Sequence, residues 1–396
     1  MTHFEPTMQA AHARLESVDP NAYARTRNAL DGAVTRLSPY LTHGLLSLRE
    51  VYEAVHARHP LDAQHKFIFE LGWRAYWRHV WEYMGDGIHQ SLHPGLLPDD
   101  AYSPDIPTDV LEARTGIPAI DLAVRELYET GYVHNHARMW LASYLVHLRK
   151  VHWHAGAEWM LGHLLDGDIA SNCLSWQWVA GTGSNKPYLF NADNVAKYAP
   201  AQWHSPGTVI DASYEAMDAM ARSSAAPGGR QPSNSDAGMS QPACTTTPAD
   251  IRWTAPDSAL VQGQDVWLVH PWSLGALHAG RMEATRTIAI GLDACHAGMP
   301  WSSLRWRFIT GGLAARTPHL WWSNTQQLAA ALSTARSVRW QSDPHTDGPM
   351  HAVQNLLRTV AAPPHTESLA AAPLFEPVSP LRDSFAQWWR KTRLAP

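Results

Sequence analysis

The chain is predicted to be mainly α, a helical first half followed by a small α/β unit, and three observations predict it. Over residues 1 to about 220, apolar and aromatic side chains recur three and four apart, Pro and Gly keep to joints, and no long alternating strand occurs. Over residues 222–250 the composition shifts to Ser, Ala, Pro, Gly, Gln and Thr, the make-up of a flexible linker. Beyond residue 251, short apolar runs alternate with helical patterns, as in an α/β layer. The predicted organisation is a helical domain at 1–221, a linker at 222–250, a small α/β domain at 251–360, and an Ala/Pro-rich tail at 361–396.

Each element follows from its local pattern. Helical spacing marks residues 45–59, 65–84, 119–130, 135–153 and 158–165. After the linker, 266–269, 287–290 and 337–340 read as short buried strands. Residues 301–309 and 325–335 carry helical spacing, and 384–393 form a terminal helix in the tail.

Composition narrows the function. A formal charge of −5 over 396 residues argues against a polyanion binder by bulk electrostatics, though not against a local patch. Residues 132–157 hold no acidic side chain but contain Arg138, Arg149, Lys150 and five histidines. Such a stripe serves either as a phosphate-binding face or as a solvated helix surface. Three scattered cysteines, Cys173, Cys244 and Cys295, cannot build a disulfide framework or an ordinary iron–sulfur cluster. No histidine-rich coordination pattern accompanies the acidic pairs, so no metal is expected. With no signal-peptide pattern and no bilayer-length apolar run, a soluble, cytoplasmic monomer is expected.

The chemistry-bearing residues come in ordered blocks. Thr35-Arg36-Leu37-Ser38-Pro39 reads as a helix start in which Ser38 caps a helix beginning at Pro39, leaving backbone N–H groups for an anion. Glu70, Trp73 and Arg74 share one face of the next helix. Asn135, Arg138 and Met139 stand three and four apart, and Asn172 and Trp176 one turn apart. Asp166 and Asp168 flank a glycine, a pattern shared with plain turns. Amide, guanidinium, carboxylate and indole together suit a planar, polar-edged, redox-active ring, since every buried edge atom needs a partner.

Taken in order, these blocks resemble the FAD-binding domain of the photolyase and cryptochrome family over roughly residues 30–200. The likeness is greatest to enzymes that split cyclobutane pyrimidine dimers, here in a short form without the N-terminal antenna domain. It implies an all-helical FAD-binding fold. Thr35, Arg36, Leu37 and Ser38 would hold the cofactor's phosphates. Arg74, Arg138, Asp166, Asp168 and Asn172 would surround the flavin, with Arg138 paired to Asp166. Glu70, Trp73, Asn135, Met139 and Trp178 would face the lesion, Glu70 hydrogen-bonding the damaged base. Trp176 and Trp153 match the inner two members of an electron-hopping chain that photoreduces the flavin. Val110 stands where the outer tryptophan usually lies, with Trp140 and Trp159 as candidates to substitute. His136 replaces a more usual arginine. Residues 300–308 resemble part of the family's antenna domain, placed after the helical domain instead of before it. The resemblance implies a DNA photolyase, a carbon–carbon lyase in which light-excited reduced FAD passes an electron to a flipped-out dimer. Its partner would be dimer-containing DNA, with single strands preferred because extruding a base from a duplex costs a few kcal/mol. A cryptochrome-like blue-light receptor without repair activity is the first alternative, and a helical nucleic-acid-binding scaffold without its cofactor the second.

Overall fold

Helices α1 (Met8–Glu16), α2 (Pro20–Thr26), α3 (Ser38–Thr42), α4 (Leu48–Arg58) and α5 (Lys66–Met84) open the helical unit. It continues through α6 (Thr108–Leu111), α7 (Pro118–Thr130), α8 (Asn135–Ser143), α9 (Trp153–His163), α10 (Ile169–Ala180), α11 (Ala192–Tyr198) and α12 (Tyr214–Arg222). The computed structural model describes residues 3–184, 186–226, 238–275 and 286–396. No helix among the described residues is long and apolar enough to cross a membrane.

Local chemistry sets the helix ends. His65 caps α5 by accepting from the Phe67 N–H, and α5 buries Phe67, Ile68, Leu71, Tyr76 and Val80 before ending at Gly85. Ser47 and Glu50 form a reciprocal capping box, so α4 starts at Leu48, three residues later than apolar spacing alone suggests. The helix predicted over 135–153 is interrupted: α8 passes into one π turn at Tyr144–Leu148, and Lys150 takes the left-handed conformation at φ 54°. The buried Lys150 ammonium donates to the carbonyls of His147, Met220 and Ala221, which stabilises the break and pins α12 to it. A second helix, α9, then starts at Trp153. α10 lies at the centre, packed against α5, α8 and α9.

The second unit is more extensive than its predicted three strands. Its elements are β1 (Cys244–Thr245), β2 (Trp253–Thr254), β3 (Asp265–Val269), β4 (Arg286–Leu292), β5 (Trp301–Ser302), α13 (Ser303–Ala314), β6 (Leu320–Ser323), α14 (Thr325–Leu332), β7 (Ser337–Gln341), α15 (Pro344–Leu357), β8 (His365–Leu369) and α16 (Phe385–Lys391). Six strands form one sheet in the order β2-β6-β4-β3-β7-β8, every pair parallel. Val266–Val269 and Ile288–Leu292 are buried without alternation, as strands covered on both faces must be. β8 lies within the predicted tail, where its polar His-Thr-Glu-Ser pattern suits a sheet edge. Residues 301–302, predicted as helix, are strand β5, which pairs with β1 from the predicted linker. Linker residues 227–237 lie outside the described residues.

The two units are joined by buried polar contacts. The ring nitrogens of His43 lie 2.7 Å from the carbonyl oxygens of Pro271, just after β3, and Leu165. β3 and β7 sit where the strand order turns back on itself, and Asp343, two residues past β7, pairs with Arg78 of α5. In doubly wound sheets this crevice is where ligands bind. Here side chains of the helical unit occupy part of it.

Candidate flavin site

α5, α8 and α10 converge with the 34–38 and 164–168 segments around a cavity of about 340 Å3, within the range of small-ligand and cofactor sites. Thr35, Arg36, Ser38, Glu70, Trp73, Arg74, Asn135, Arg138, Met139, Asp166, Asp168, Asn172 and Trp176 all line it. Three residues predicted for the site do not. Leu37 is buried in the core at 2% exposure. Trp153 is buried outside the lining, its indole N–H donating to Ser91 Oγ at 2.9 Å. Trp178 is 37% exposed and stacks on Tyr188 at 5.8 Å.

The acidic turn carries the strongest electrostatics. Arg138 Nη2 donates to both Asp166 oxygens, at 2.8 and 3.0 Å, and its Nε to the Val133 carbonyl at 2.7 Å. The guanidinium is thereby fixed in one orientation. Asp168 caps α10 by accepting from the Ser171 N–H at 2.9 Å, while Arg78 and Arg74 stand 3.5 and 3.7 Å from its other oxygen. Burial alone would raise the Asp168 pKa; the Arg74 and Arg78 charges outweigh it and hold the carboxyl well below the usual range. Asp168 is thus an ionised cap whose charge is already engaged by two arginines.

Other groups are arranged for a polar-edged ligand. The Asn172 amide donates to the Ala157 carbonyl at 2.8 Å, which leaves its oxygen as the end for the cavity. Ser171 Oγ is buried with no partner among the described residues. Trp176 reaches the cavity because α9 carries Gly156 beside it: a Cβ there would lie 2.4 Å from the indole. Arg36 adopts φ 52°, a left-handed conformation costing on the order of 1 kcal/mol or more for a non-glycine residue. Ser38 is the first residue of α3 and not its cap; Leu37 precedes it, and no side chain caps the helix.

The residues expected to face a lesion have defined settings. Glu70 pairs with Lys66 at 2.9 Å and Arg27 at 3.1 Å, and not with Arg74. One face of Trp73 is backed by Phe385 of α16, ring centroids 4.0 Å apart and planes within 10°. Asn135 Nδ2 lies 3.5 Å from Met139 Sδ. His136 is buried against Tyr198, so it is not a surface cation. Val110 and Trp140 are each 0% exposed, so neither reaches solvent as an outer electron donor must.

Tyr23, Arg27, Trp77, Ser171 and Ser175 also line the cavity and escape the sequence reading. Tyr23 and Arg27 are four apart on α2 or at its end, as are Trp73 and Trp77 on α5, so helical spacing was available as a signal. Asp343, which supports Arg78, comes from the distant second unit and carries no such signal.

The lining suits FAD. Arg36 and Arg74 offer charge to a pyrophosphate, Asn172 and the unpartnered Ser171 hydroxyl offer polar contacts, and Trp73, Met139, Met160 and Leu164 supply apolar wall. Residues 67–208 match the model of the FAD binding domain of DNA photolyase. The chain is 36% identical to a deoxyribodipyrimidine photo-lyase of Streptomyces griseus over 157 residues, 39% of this chain and 33% of that relative. It is also 36% identical to a cryptochrome DASH of Gloeobacter violaceus over 186 residues, 45% of this chain and 37% of that relative. The crystal structure of a Synechocystis cryptochrome is similar at 31% identity and a TM-score of 0.45, covering 50% of this chain and 44% of that one. The chain thus spans less than half the length of these relatives. Residues 67–208 are a FAD-binding domain of the photolyase and cryptochrome family, and FAD is the cofactor of that domain.

Proposed function

We propose that the chain is a deoxyribodipyrimidine photolyase, a carbon–carbon lyase that acts as a monomer and splits cyclobutane pyrimidine dimers in DNA under light. The observation that carries this reading is that the cofactor set (Arg138, Asp166, Asp168, Asn172) and the lesion set (Glu70, Trp73, Asn135, Met139) line one cavity. When bound and fully reduced, FAD supplies a light-excitable electron donor. The protein holds donor and lesion together and keeps water out. Arg138, locked on Asp166 and Val133, fixes the cofactor side. Trp73, backed by Phe385, offers a rigid edge to an extruded base, and Asn135 and Glu70 offer polar contacts. Trp176 and Trp153 serve the electron route that keeps the cofactor reduced. Single-stranded dimers are preferred, since they avoid the few kcal/mol of base extrusion.

The test is illumination of the reduced protein with a dimer-containing oligonucleotide, followed by chromatographic counting of restored pyrimidines. Restoration that requires light, with tighter binding to single-stranded than to duplex substrate, is expected. An intact dimer after prolonged illumination of flavin-loaded protein overturns the reading.

One observation favours a second reading, a blue-light receptor without repair activity. Glu70 is held by two cations, Lys66 and Arg27, and so is less available to a base. In that case, light changes the flavin spectrum while the dimer stays intact.

A further inference from the structure

Among the described residues of the second unit Arg305 of α13 is the most completely enclosed guanidinium, at 0% exposure, and no carboxylate among them hydrogen-bonds it. Its Nη1 donates to the Leu161 carbonyl at 2.5 Å and its Nη2 to the Gly167 carbonyl at 2.7 Å. Its plane lies over Trp301, with Cζ 4.1 Å from the ring. Gly167 is the centre of the Asp166-Gly-Asp168 turn and itself lines the flavin cavity. The fit is tight: a Cβ at position 167 would lie 2.5 Å from Arg305 Nη1 and 2.8 Å from the Leu161 oxygen.

Burying an unpaired cation is costly, so its retention calls for a compensating role. Burial pulls the Arg305 pKa down to about 9, with Asp166 and Asp168 opposing the fall, so the group stays charged at neutral pH. The planar fork of the guanidinium bridges two carbonyls, Leu161 in the last turns of α9 and Gly167 in the acidic turn, and so ties that turn to the helix before it. A fixed positive charge therefore sits behind the wall that carries both flavin-side carboxylates.

We propose that Arg305, supplied by the α/β unit, is a positioning residue for the flavin: it clamps the Asp166-Gly167-Asp168 turn in its binding geometry and makes the cofactor easier to reduce through its charge. The inference rests on FAD occupying the cavity and is independent of whether the chain repairs DNA. One buried hydrogen bond holds Gly167 of the turn and the other anchors the guanidinium on α9 at Leu161, and a reduced, more electron-rich flavin gains from a nearby cation in a low-dielectric site.

The test uses the full chain in the dark and without DNA. Arg305→Met and Gly167→Ala are compared with the parent by FAD titration and by redox titration of the bound flavin, with far-UV circular dichroism as the fold control. Both variants are expected to bind FAD about tenfold more weakly, the loss of one charge-assisted hydrogen bond. Arg305→Met is expected to lower the flavin midpoint potential. Gly167→Ala, which displaces the guanidinium but keeps its charge, lowers it less. A folded Arg305→Met protein with the parent's FAD affinity or the parent's potential overturns the proposal. If Arg305→Met does not fold, parental FAD affinity in Gly167→Ala overturns it instead. A parent chain that binds no FAD would sink the flavin-site reading itself, whereas FAD bound by the parent with both readouts unchanged in the variants overturns this proposal alone.

Discussion

Replacing Asp343 by Asn tests whether the α/β unit is structurally committed to the flavin site. Asp343 accepts from Arg78 Nη1 at 2.8 Å, from His345 Nδ1 at 2.7 Å and from the His345 backbone N–H at 3.1 Å. An Asn of the same shape must turn its NH2 towards one of those donors, and it removes the charge that holds Arg78. Breaking one partner of a buried pair costs about 3–5 kcal/mol, and the retained shape puts Asn at about 3 kcal/mol. Urea unfolding at neutral pH, followed by circular dichroism, measures this directly. Arg78→Met is expected to cost more, because Arg78 also serves Asp168. The double variant should lose less than the sum of the two. The acid limb carries a second signature. Burial would raise the Asp343 pKa, but Arg78 and His345 outweigh it and hold it well below the ordinary 3.8, as Arg74 and Arg78 do for Asp168. Their contribution is therefore full above that value and is lost as pH falls below it, more shallowly in Asp343→Asn. A loss under about 1 kcal/mol at neutral pH, or strict additivity, refutes the coupling.

Asp166→Asn leaves Arg138 without its carboxylate and is expected to weaken FAD binding about tenfold or more, checked by fluorescence titration. His147, His163 and His296 are enclosed, and burial pushes their pKa values from 6.5 down to about 4, 4 and 3. The unfolded chain takes up protons first, so stability falls by about 1.4 kcal/mol per pH unit per histidine as pH drops from 6.5 towards 4; thermal melts flat across that window would remove these groups from the balance. Trp176→Phe and Trp153→Phe should each lose most of the light-driven flavin reduction, and a Trp176→Phe protein that photoreduces at the parental rate shows that electrons enter elsewhere.

Most of the cavity could be read from the sequence because it is built on helices, where residues three and four apart must share a face. Asn135, Arg138 and Met139 reach it together for that reason, as do Asn172 and Trp176. Spacing says nothing about a turn's orientation, so it could not show that Asp168 spends one oxygen on the α10 cap and faces two arginines with the other. Helical periodicity also ran through Lys150, where a left-handed residue and three carbonyl acceptors end the pattern. The parallel sheet was under-read for a different reason. β6 is apolar but only four residues long, Leu-Trp-Trp-Ser, and β8 is polar and at the edge, so the first is too short and the second too polar for its pattern to mark a strand.

What no local pattern could supply is the dependence of the helical site on the second unit. Asp168 stays ionised because Arg78 and Arg74 face it; Arg78 keeps its place because Asp343 holds its other nitrogen. Asp343 in turn bonds the ring of His345, whose Nε2 accepts from the N–H of Ile169, the residue after Asp168. The network thus closes on itself, leaving the helical unit at Arg78 and re-entering it beside the carboxylate from which it began. In such a ring no member can move without stranding a buried charge or donor. The α/β unit is therefore part of the flavin site's construction even though none of its residues lines the cavity. A substitution that loosens the contact of Asp343 with Arg78 should be felt at Asp168 before it is felt at Trp73, Asn135 or Met139 on the cavity wall.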